Sequence, residues 1–134
     1  MVHFFLELMF SVPDSPPGSV TCSSPSSISL LISWVPPNSK QMNGALQGFH
    51  VHYRPLLEWR GKHFFQSHIF AIQKFSQIVA EIQTEMSKES QLIIEPLEKF
   101  QNYSVEVGAL TRKGEGIRSS PVHCRTREDG KVLL

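Results

Sequence analysis

From Ser29 to Val35 the chain reads Ser-Leu-Leu-Ile-Ser-Trp-Val and is then stopped by Pro36-Pro37. Alternation of this kind predicts a half-buried strand with Leu30, Ile32 and Trp34 on one face, and Ile28 falls in the same phase. Prolines cannot donate to a ladder, so pairing ends there. Trp34 supplies a large apolar anchor for a core between two sheets. The pattern recurs along the chain. Val20 and Cys22 share a face of a strand over 19–24. Phe49, Val51 and Tyr53 alternate with His50 and His52, which points the aromatics inward and the histidines outward. Gln91–Ile94 reads as a short strand ending before Pro96 and Leu97. Tyr103, Val105, Val107 and Ala109 face inward on the next strand, and Val122 and Cys124 do so on a last strand over 120–126. Ser24–Ser27, Asn43-Gly44 and Lys113-Gly114-Glu115-Gly116 supply the turns, the last of them as a hairpin turn. Seven alternating strands punctuated in this way define an all-β sandwich.

One stretch departs from the pattern. Such a sandwich takes about 100 residues, whereas Pro13 to Asp129 spans about 117, with the excess at about 61–81. Phe75, Ile78, Val79, Ile82 and Met86 recur at three and four, a helical stripe that would pack on the sheet or fill a partner's groove. The alternative is translated intron. Gly61-Lys62 and Gly130-Lys131 can be encoded across splice donors, and Phe10-Ser11-Val12 and Ala80-Glu81 across acceptors. All four share one codon phase, and excision leaves about 97 residues, the length of the fold. Transcripts that carry 61–80 in most copies would exclude this alternative. The expected organisation is a leader over 1–12, the domain over 13–129 and a tail over 130–134, with 12–18 as a proline-stiffened entry linker.

Composition narrows the class. At 134 residues the chain holds one domain that buries a core without metal. A net charge of +1 gives no reason to expect a nucleic-acid partner. No apolar run reaches the roughly 18 residues of a membrane span. Met1–Phe10 is apolar, but it lacks a basic start and carries Glu7, unlike a signal peptide.

Candidate chemistry is sparse. His50 and His52 alternate on one outward face, a spacing two metal ligands use, but the sequence places no third ligand beside them. Solvated sheet histidines and no metal are therefore expected. Asn102-Tyr103-Ser104 is a glycosylation sequon whose asparagine points outward. Arg112, Lys113, Arg118, Arg125 and Arg127 gather around the last hairpin, interleaved with Glu106, Glu115, Glu128 and Asp129. The expectation is a solvated mixed-charge face, with heparin-like binding as the alternative. Trp59 either covers a sheet edge or makes an exposed contact. Cys22 and Cys124 lie inward on the first and last strands, where they form either one bridge or two buried thiols. With no phosphate-cradling loop, nucleophile elbow or spaced carboxylate pair, neither an enzyme nor a cofactor is expected.

Trp34-x-Pro36-Pro37, Asn43-Gly44, Gly48-Phe49-x-Val51-x-Tyr53, Leu97 with Tyr103, and Gly114/Gly116 ahead of Ser119-Ser120-Pro121 together resemble the fibronectin type III (immunoglobulin-like) sandwich. Tyr103 would be its corner tyrosine, its hydroxyl bonding backbone near Leu97, and Trp34, Tyr53, Leu97 and Tyr103 would be structural core. Tyr53-Arg54-Pro55 with Glu58-Trp59, the run 97–104 and the run 116–124 resemble modules of the arthropod Down syndrome cell adhesion molecule family. Sidekick and receptor tyrosine phosphatase ectodomains share the looser pattern. The resemblance implies a Cys22–Cys124 disulfide, since those receptors carry both cysteines at matching positions. It also implies a module outside the cell, in a membrane-anchored neuronal or immune receptor, with immunoglobulin or fibronectin domains as neighbours and a protein on another cell as partner. The alternatives are an intracellular scaffold module with free cysteines and an unused sequon, or an incomplete gene-model fragment.

Overall fold

The computed structural model describes residues 11–56 and 81–129. The leader through residue 10, Trp59, most of the insert with Phe75, Ile78 and Val79, and the 130–134 tail lie outside the described residues.

The described residues form two packed antiparallel sheets. The smaller is ordered β1 (Gly18–Ser26), β2 (Ser29–Val35), β5 (Gln91–Ile94). The larger runs β4 (Gln83–Ser87), β3 (Gly48–Pro55), β6 (Asn102–Thr111), with β7 (Gly114–Glu115) and β8 (Val122–Arg125) both on the far side of β6. Strands β7 and β8 act as two halves of one interrupted strand. Between them, Ser119 N–H donates to Val107 O at 2.8 Å, and the Ser119 hydroxyl accepts from Val107 N–H at 2.9 Å.

The inward phases of β2, β3 and β6 fill the space between the sheets. Leu30, Ile32, Trp34, Phe49, Val51, Ile94, Tyr103, Val105, Val107 and Ala109 are all buried in one cluster. Trp34 meets Phe49 edge to face across the layers, ring centroids 5.2 Å apart, a geometry that aromatic quadrupoles favour.

Four details differ from the sequence pattern. Ile28 is exposed, because it sits in the turn between β1 and β2 rather than on β2. Ile82 and Met86 belong to no helix: β4 pairs with β3 from Tyr53↔Gln83 to Phe49↔Ser87, and both side chains are more than half exposed. Bonding to an available sheet edge overrides a helical spacing carried by few residues. The last hairpin turns at Arg112-Lys113, with Gly114 and Glu115 already paired to β6. The entry segment is docked rather than free. Pro13 is fully buried, Ser11 N–H donates to Asn43 O at 2.9 Å, and Asp14 N–H donates to Gln41 O at 2.8 Å. A Cβ on Gly116 would lie 2.4 Å from Pro13 O, so glycine permits that docking.

These contacts set the two poles of the sandwich. The chain enters beside the β2–β3 loop and the β6–β7 turn. It leaves beside the β1–β2 turn, where Arg127 N–H donates to Ser24 Oγ at 2.9 Å and Lys99 pairs with Asp129 at 2.6 Å.

Candidate functional site

The outer face of the larger sheet carries the densest polar assembly among the described residues. Alternation on β3 sends His50 and His52 to this face, opposite Gly108 and Glu106 of β6 in the strand register. Glu115 follows from β7, on the other side of β6. It reaches over Gly108 toward β3, and a Cβ on Gly108 would lie 2.5 Å from Glu115 Oε1. Glycine at this position is what lets the carboxylate cross the strand.

Glu115 Oε1 lies 2.5 Å from His52 Nε2 and 3.6 Å from His50 Nδ1. The other nitrogen of His52, Nδ1, is hydrogen-bonded to the Thr84 hydroxyl on β4 at 2.8 Å. The second oxygen of Glu115 accepts from Arg118 Nε at 3.2 Å, and Arg118 also approaches Glu106 at 3.6 Å. The imidazole rings stand edge to face, 5.7 Å apart. His52 is buried, with 8% of its side chain exposed, while 35% of His50 is open to solvent. Two solvated histidines were expected here; instead one is walled in by Thr84 and Glu115. Glu115 lies 63 residues from His52 in sequence, so only the pairing of β6 with β3 and β7, together with a glycine at 108, reveals the contact.

The other residues singled out by the sequence fall elsewhere. Cys22 of β1 and Cys124 of β8 are joined, their Cα atoms 6.2 Å apart, and the bridge ties the edge of one sheet to the edge of the other. Tyr103 is buried, and its hydroxyl accepts from Glu98 N–H at 2.8 Å. Leu97 packs against the core, and its N–H donates to Ile28 O at 2.7 Å. Trp34 lies in the core at 5% exposure. Tyr53 is half-buried and donates to Glu85 Oε1 at 3.2 Å. Burial, with the Glu85 charge beside it, pushes its phenol up to about 12. Asn102 opens β6 half-exposed, its side-chain oxygen accepting from Arg125 Nε at 3.0 Å.

The five basic residues do not form one patch. Arg112 and Lys113 lie at the entry pole and Arg118 lies on the histidine face. Arg125 stacks over Phe100 at 4.7 Å, and the Arg127 side chain reaches Pro25 O at the exit pole.

This two-sheet topology is that of an immunoglobulin-like module, and the family model for the fibronectin type III domain matches residues 15–125. The chain belongs to the fibronectin type III family. It is 32% identical over 123 residues to the cell adhesion molecule Dscam2 of Drosophila melanogaster, covering 92% of this chain and 5% of that protein. To the chicken (Gallus gallus) cell adhesion molecule DSCAM it is 34% identical over 118 residues, covering 88% of this chain and 5% of the relative. The chain thus spans about one-twentieth of the length of these relatives. Among solved structures it is similar to the FN5 domain of Drosophila Lar, with TM-score 0.58, 27% identity, and coverage of 87% of this chain and 98% of that one. The third fibronectin III domain of human KIAA0343 shares the fold, with TM-score 0.67 at 21% identity over 92% and 90% of the two chains.

Proposed function

We propose that the chain is a non-catalytic spacer and interaction module in the extracellular part of a membrane-anchored cell adhesion receptor, of the kind to which Dscam2 and DSCAM belong. One observation carries the spacer reading: the backbone enters at one pole of the sandwich and leaves at the other. A docked entry and a pinned exit let neighbouring immunoglobulin or fibronectin modules stack end to end at a set distance and angle. The Cys22–Cys124 bridge supports an oxidising compartment over an intracellular scaffold. Asn102, in its sequon at the start of β6, is the glycan acceptor in this reading.

A cell-aggregation assay tests the role. The parent receptor is expressed with the module intact, deleted, or exchanged for an unrelated fibronectin sandwich. Deletion is expected to lower aggregation several-fold, and the exchange is expected to restore it. Aggregation unchanged by deletion would overturn the reading.

A further inference from the structure

We propose that His50, His52 and Glu115 form a binding site for a divalent transition ion of the zinc class, built across β3, β6 and β7. His50 Nδ1, His52 Nε2 and a Glu115 carboxylate oxygen all lie within 4.8 Å of one another. Two imidazoles and one carboxylate are a ligand set that zinc takes, with a fourth, tetrahedral position left for water. The half-exposed His50 opens that position to solvent.

Three features mark this as a built site rather than a chance meeting. The His52 ring is oriented by Thr84 on its far nitrogen, as the ring of a metal-binding histidine is held by an outer partner. Glu115 is likewise oriented by Arg118, which occupies the oxygen turned away from His52. Gly108 removes the one side chain that would stop Glu115 from crossing β6.

The fit requires small movements. Metal–ligand bonds of about 2.0–2.2 Å place tetrahedral ligand atoms roughly 3.3–3.6 Å apart. Glu115 Oε1 stands 3.6 Å from His50, which already suits such a site, and 2.5 Å from His52, so the carboxylate must withdraw from His52. Two atoms that both accept cannot sit 2.5 Å apart, so in the metal-free protein a hydrogen lies between them in an ordinary hydrogen bond. A metal takes its place when His52 Nε2 is bare and the ring hydrogen sits on Nδ1, facing the Thr84 hydroxyl. Zinc bound here clamps β7 to β3 across the intervening strand. Calcium and magnesium, which take oxygen ligands, are not held.

The test is calorimetric titration of the tag-free chain with zinc chloride, alongside cobalt(II) as a visible-absorption probe of tetrahedral geometry. One equivalent of zinc is expected to bind, with tetrahedral cobalt bands and no calcium binding. His50→Ala and Glu115→Gln lie on an outer face and leave the core intact; each is expected to weaken zinc by more than about tenfold. Thr84→Val, which touches no metal, is expected to weaken it by about tenfold through the loss of ring orientation. Gly108→Ala, checked for folding by circular dichroism, is expected to abolish the tetrahedral cobalt spectrum. Zinc binding equally tight to wild type and to the His50→Ala/Glu115→Gln double variant would place the metal elsewhere and overturn the proposal. So would the absence of zinc binding by the folded wild type.

Discussion

Strands β3 and β6 have two faces built in opposite ways. On the inner face Phe49 and Val51 meet Val105, Val107 and Ala109, all at 1% exposure or less, and the face is held mainly by contact area. On the outer face His50, His52, Glu106 and Glu115 with Arg118 are held by directed contacts at stated distances. The inner face depends on filled apolar volume, while the outer face depends on individual atoms and on one glycine. Stability therefore rests mainly on the first.

Substitutions on the two faces separate these roles. Phe49→Ala empties a fully buried site against Trp34 and is expected to cost about 4 kcal/mol in denaturant unfolding. His50→Ala, one residue along and on the other face, is expected to cost less than about 0.5 kcal/mol. Equal losses would erase the contrast. Replacing Cys22 and Cys124 with alanine frees a 102-residue loop and is expected to cost about 3 kcal/mol, read as a lower melting temperature that reductant no longer changes. Tyr103→Phe keeps the buried ring and removes only the acceptor of Glu98 N–H. A loss of about 1 kcal/mol is expected, small beside Phe49→Ala although both residues are buried.

A further effect is alkaline. Burial, with Glu85 beside it, raises the Tyr53 phenol from 10.0 to about 12, and burial also raises that of Tyr103. The unfolded chain gives up these protons at lower pH than the folded one does. Their contribution to stability is therefore complete below pH 10 and is lost as pH rises toward about 12. Melting temperatures across that window should fall less steeply for Tyr53→Phe than for wild type.

The fold was legible because strand alternation records which side chains lose water. Phe49 and Val51, and the run from Tyr103 to Ala109, are buried in the phase that their spacing predicts. Where a choice depended on long-range pairing, spacing misled: Ile82 and Met86 suit a helix, yet an open edge of β3 made 83–87 a strand. The histidine face was legible only in half. His50 and His52 announce themselves at two-residue spacing, but Glu115 becomes their neighbour only through the order of β3, β6 and β7. Gly108, with no side chain to suggest a role, gives no sign of its part until the carboxylate is seen lying over it.

The most direct test of the extracellular-module account is the intact mass of the chain secreted from animal cells, measured before and after reduction and glycan removal. The account predicts that reduction adds two hydrogens and that a glycan is released from Asn102. Free cysteines and a bare Asn102 in the secreted, folded protein would contradict it.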